Sequence, residues 1–61
     1  MLSARERLLQ TAKSEIVTAR LLGLSYPTDW EHFLRNNSPE FVAIVVEALG
    51  DEGLLKLLVH I

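Results

Sequence analysis

Eight carboxylates and two imidazoles are the side chains with which this 61-residue sequence could move a proton or hold a metal ion. Asp29 and His32 are three residues apart, so on a helix they share one face, where they can share a proton or two positions around a cation. A metal site needs three or four ligands with supporting bonds behind them. The other imidazole, His60, is distant in sequence, and there is no cysteine. His32 is therefore expected to be a partly exposed helix residue, and no catalytic, cofactor-binding or metal-ligating residue is assigned.

The acids have a simpler explanation. Glu6, Asp29, Glu31, Glu40, Asp51 and Glu52 all fall in the cap or first turn of an expected helix, where free N–H groups and the macrodipole stabilise negative charge by about 0.3–1 kcal/mol each. Glu15 and Glu47 are left as solvated positions. Ser3, Ser25 and Ser38 are cap or turn residues, and none lies in the glycine-flanked elbow of a serine nucleophile. Gly23 is isolated, and Gly50 and Gly53 flank two acids that repel phosphate, so no phosphate-cradling loop is present.

The elements that carry these residues read as helices. Ser3 with Glu6 forms a capping box; Leu9, Ala12, Ile16 and Ala19 then recur at helical spacing, flanked by Leu8 and Leu22, and Gly23 ends the run. Thr28 with Glu31 suggests a second capping box, followed by Trp30, Phe33 and Leu34 on one face. Glu31 and Arg35 form an i,i+4 pair, and Asn36-Asn37 marks a break. Ser38-Pro39-Glu40 starts a third helix, which Gly50 stops. Asp51 caps a fourth, with Glu52 paired to Lys56 and Gly53 weakening its first turn by about 1 kcal/mol. The expected fold is an all-α bundle of three to four helices at about 4–22, 29–35, 39–49 and 51–60, in one domain over 1–61. The competing hairpin of 41–46 with 54–61 around Gly50–Gly53 is disfavoured, because neither run alternates and Pro39 stands at a helix start.

Composition narrows the function classes. A chain this short buries only about 60% of its unfolded surface, and with no cysteine the usual supplement left to it is association with another chain. Hydrophobic residues make up 49% of the sequence and mean hydropathy is +0.23, which is high for so small a domain. A net charge of −2 argues against general nucleic-acid binding, although Arg5, Arg7, Lys13 and Arg20 make the first third locally basic. The longest unbroken apolar run, 41–46, is far too short to span a bilayer, and the N-terminus lacks the pattern of a secretory signal. A cytoplasmic location is the expectation.

Residues Ala19-Arg20-Leu21-Leu22-Gly23-Leu24-Ser25 resemble the first helix and turn of helix-turn-helix regulators, with a small residue four before the turn glycine and apolar residues around it. The resemblance covers about a third of the chain. It implies a recognition helix near 28–35, with Arg20 and Arg35 as phosphate contacts. That segment, however, brings Asp29 and Glu31 towards the phosphates, and Trp30 and Phe33 come one position later than the pattern has them.

The apolar surplus points elsewhere. Phe41, Ile44, Val45, Ala48 and Leu49 make one stripe of the third helix, with Val42 and Val46 about 100° away. In the last helix Leu54, Leu57, Leu58 and Ile61 make a core stripe that leaves Leu55 and Val59 outside it. Val42, Val46, Leu55 and Val59 are therefore the expected partner-binding anchors of a small non-enzymatic interaction module, an adaptor, regulator or docking domain. Such a module self-associates or binds a partner helix. DNA binding through residues 19–35 is the alternative. Attachment of the last helix to a membrane surface is a third reading, disfavoured because Lys56 is its one basic residue besides His60.

Overall fold

The computed structural model describes residues 2–60, which form four helices with no strand among them: α1 (Ala4–Leu21), α2 (Trp30–Asn36), α3 (Pro39–Leu49) and α4 (Asp51–His60). The all-α expectation holds, and both segments of the competing hairpin are helical where described.

Local chemistry sets most of the boundaries. Ser3 Oγ accepts the Glu6 backbone N–H at 3.1 Å, and Ser38 Oγ accepts that of Phe41 at 3.2 Å, with Pro39 opening α3. At the end of α1 the N–H of Leu24 donates to the carbonyl of Ala19 at 2.8 Å and that of Gly23 to Arg20 at 3.1 Å. This is a Schellman closure, with Gly23 at φ +73°. Two caps differ from expectation. The cap of α2 is Asp29, which accepts the His32 N–H at 3.1 Å, so the helix starts one residue after the start that Thr28 implied. Asp51 is already inside α4, where Leu54 N–H donates to the Gly50 carbonyl at 3.1 Å. The α3–α4 corner is a single residue, Gly50, at φ +76° and ψ −149°, a region essentially closed to side chains.

Helix α3 is the centre of the bundle, with α1 and α4 packed against it and α2 bridging α3 and α4. Ala12, Trp30, Phe33, Ile44 and Val45 form the buried core. Ala12 is fully buried, and its small side chain lets α1 approach closely. Phe33 meets Tyr26, Trp30 and Phe41 with centroids 5.9–6.1 Å apart, and two of these contacts are edge-on. The two acids expected to be merely solvated instead hold distant segments together. Glu47 pairs with Arg5 at 2.6 Å, joining α3 to the start of α1, and Glu15 accepts the hydroxyl of Tyr26. Among the described residues the other ion pair is the expected one, Lys56 with Glu52 at 3.2 Å; Glu31 and Arg35 do not pair.

Candidate interaction surface

The rotation of α4 decides which of its many apolar residues meet solvent. Gly53 is buried against α3, and a Cβ built there lies 2.6 Å from Leu49 Cβ and 3.2 Å from the Val46 carbonyl oxygen. One turn on, Leu57 packs partly into the core. At the far end the His60 ring stacks on Trp30, with 6.3 Å between centroids and 14° between planes. Positions 53, 57 and 60 follow helical spacing, so they define the inward face.

The opposite face presents Leu54, Leu55, Leu58 and Val59, exposed by 48, 64, 58 and 80%. This corrects the expected core stripe: Leu54 and Leu58 point outward, Leu57 alone of its described members is half-buried, and Ile61 lies outside the described residues. The reason is steric. Only glycine fits where α4 crosses α3, so Gly53 rather than a leucine takes the contact, and the leucines turn away.

The four expected anchors fall into two pairs. Leu55 and Val59 are on the exposed face of α4. Val42 and Val46 are half-buried and pack against this chain's own core. Val42 still borders a shallow groove of about 340 Å³, lined also by Leu34, Pro39, Ala43 and Leu57. A second apolar patch, which the sequence reading did not single out, consists of Val17 and Leu21 on α1 at i,i+4, with Leu22 and Leu24 beyond them. Their spacing relative to the buried Ala12, Ile16 and Ala19 places Val17 and Leu21 on the far face of that helix.

Residues named for other chemistry have structural partners. The Asp29 carboxylate caps α2, and the exposed His32 ring lies 3.2 Å from the Asn36 amide nitrogen. Among the described residues no three of His, Cys, Asp or Glu gather to hold a metal ion. Burial, then the hydrogen bond to Glu15 and the charge of that carboxylate, push the Tyr26 hydroxyl well above its ordinary range. Arg20 and Arg35 are both exposed. Arg20 borders a pocket of about 200 Å³ that also contains Glu52 and Lys56. Residues 22–29 separate α1 from α2, against the roughly three- to four-residue turn of a helix-turn-helix unit. The two helices have no Cα atoms within 8 Å of each other.

No protein-family model, curated protein or solved structure matches this chain. Among the described residues no helix is long and apolar enough to cross a membrane.

Proposed function

We propose that this chain is a non-enzymatic association module, an adaptor or docking domain of the cytoplasm, that buries the outward face of α4 against an apolar face of a protein partner. The observation that carries the reading is the contiguous set Leu54, Leu55, Leu58 and Val59, four large aliphatic side chains about half or more exposed on one ten-residue helix. Fully burying such a side chain is worth about 1.5–3 kcal/mol, so association recovers a driving force that the folded chain leaves unused. The mechanism is helix-in-groove recognition, with i,i+4 anchors at Leu54–Leu58 and Leu55–Val59.

The sequence lacks cysteine, so a single thiol can report coverage of this face. Leu55→Cys, expressed at natural level, should react with a maleimide several-fold more slowly in native extract than in the dilute purified protein. Gln10→Cys, on the exposed side of α1, should react equally in both. Protection that persists after membranes are pelleted supports a protein partner. Equal reactivity at Leu55→Cys in both settings contradicts the proposal, and protection lost with the membrane pellet favours a lipid surface instead.

A further inference from the structure

We propose that the corner where α1 ends is a docking tip for an anionic lipid surface, a contact separate from the outward face of α4. The consecutive residues 21–25 are all exposed, and three of them are leucines. Leu21 is 83% exposed, the highest value for a large apolar side chain among the described residues, with Leu22 at 68% and Leu24 at 53%. Leucines at such a corner stay in water unless something covers them.

The shape selects the occupant. Leu21 and Leu22 are successive positions at the helix end, about 100° apart around its axis, and Leu24 lies past the turn, where its N–H reaches back to the Ala19 carbonyl. The leucines therefore surround the end of α1 and do not line one side of it. A partner helix covers a stripe, whereas a fluid acyl layer closes around a convex tip from every side. The backbone suits that depth. Carbonyls at a helix end normally need water, but those of Thr18, Ala19 and Arg20 already accept the N–H groups of Leu22, Leu24 and Gly23 at 2.8–3.1 Å.

Charge selects the kind of lipid. Lys13 and Arg20 are two helical turns apart, so they share one side of α1 behind the tip, and neither is in an ion pair among the described residues. Arg20 also offsets the negative end of the helix dipole. Two acids stand near. Glu15 accepts the Tyr26 hydroxyl, and Glu52, which shares a pocket with Arg20 and Leu24, is paired with Lys56. Counting both against Lys13, Arg20 and Lys56, the formal charge around the tip is +1. Glu6 is about 20 Å back along the helix, beyond the screening length of about 8 Å at physiological salt.

The exposed parts of Val17, Leu21, Leu22 and Leu24 amount to roughly ten carbon groups, less than a myristoyl chain, which alone binds membranes only marginally. The contact is therefore weak and reversible. Each cation is worth about five-fold on an anionic surface and decides where the tip holds.

Co-sedimentation of the full chain with phosphatidylcholine vesicles containing about 30% phosphatidylserine should show binding at millimolar lipid, weakened at least about 10-fold on pure phosphatidylcholine or in about 0.5 M salt. Leu21→Gln with Leu22→Gln should cost at least about 10-fold with helicity unchanged, and Lys13→Gln about five-fold on the anionic vesicles alone. The thiol of Leu22→Cys should become resistant to a water-soluble maleimide when the anionic vesicles are added, while that of Gln10→Cys, three turns back on α1, stays reactive. No binding up to about 10 mM lipid, or equal binding by the parent and the double Gln variant, overturns the proposal. Equal binding to neutral vesicles overturns the anionic assignment. Binding kept by the double Gln variant but lost on Leu55→Glu with Val59→Glu moves the lipid contact to α4 and overturns the tip. Protection of Leu22→Cys in extract cleared of membranes, without vesicle binding, means an acidic protein in place of lipid.

Discussion

Gly53→Ala distinguishes a loosely placed α4 from one locked by contact, because helix propensity and packing give opposite signs. Alanine is favoured over glycine inside a helix by about 1 kcal/mol, so on propensity alone the change stabilises. In the structure the new Cβ meets Leu49 Cβ at 2.6 Å, Leu49 Cδ1 at 3.1 Å and the Val46 carbonyl oxygen at 3.2 Å. The Cδ1 can rotate aside. The Cβ and the carbonyl oxygen move only with helix α3, so α4 must withdraw by about 1 Å to restore an ordinary carbon–carbon separation. Overpacking of this kind costs about 1–3 kcal/mol, and the withdrawal also loosens Leu57 and the His60–Trp30 stack on the same face. Because the blocking atoms are rigid, the upper part of that range applies, about 2–3 kcal/mol, and subtracting the propensity gain of about 1 kcal/mol leaves a net loss of about 1–2 kcal/mol. For a domain this small the melting temperature should then fall by about 5–15 °C. Urea and thermal unfolding followed by far-ultraviolet circular dichroism measure it, with the exposed Leu58→Ala as a control expected to stay within about 0.5 kcal/mol. A Gly53→Ala protein as stable as the parent or more so would refute the reasoning, because the contact that turns the leucines outward would then not be tight.

Three further outcomes follow from the same structure. Ile44→Ala removes one of the two largest fully buried side chains and should cost about 2–5 kcal/mol in urea unfolding, enough to populate the unfolded state of a marginal domain. Gly50→Ala places a side chain at φ +76° and should cost about 1–3 kcal/mol by the same assay, although open space surrounds the position. Tyr26 is the one tyrosine, and its raised value means the folded state holds the proton more tightly than the unfolded state does. Its contribution is complete below about pH 10, and stability falls as pH rises above that value because the unfolded chain ionises first. Phenolate absorbance should therefore titrate at higher pH in the native protein than in urea, and Glu15→Gln should narrow the gap.

What the sequence made legible was what local chemistry controls. Serine caps, Pro39 and the two left-handed glycines Gly23 and Gly50 act within a few residues, so the helix boundaries of α1, α3 and α4 could be read with at most a one-residue shift. Asp29 displaced Thr28 as a cap because either side chain can reach the first turn, and backbone geometry chooses between them. The rotation of α4 was not legible: apolar residues surround that helix, so periodicity has no contrast to work with. The signal was present in Gly53, Leu57 and His60 at helical spacing, but its meaning depends on Leu49 and Trp30 in other helices. Leu55 and Val59 were legible as outward positions; Leu54 and Leu58 were not. The same long-range dependence hid the partners of Glu15 and Glu47, which come from segments 11 and 42 residues away.

The central claim is that the outward face of α4 is a binding surface and not part of the fold. The free energy of unfolding of the Leu55→Glu, Val59→Glu double variant, measured in urea at a concentration where the parent is monomeric, tests it most directly. Both side chains are well exposed, so the variant should unfold within about 0.5 kcal/mol of the parent. A variant that loses several kcal/mol, or that fails to fold, would mean that these residues belong to the core, and the proposed surface would not exist.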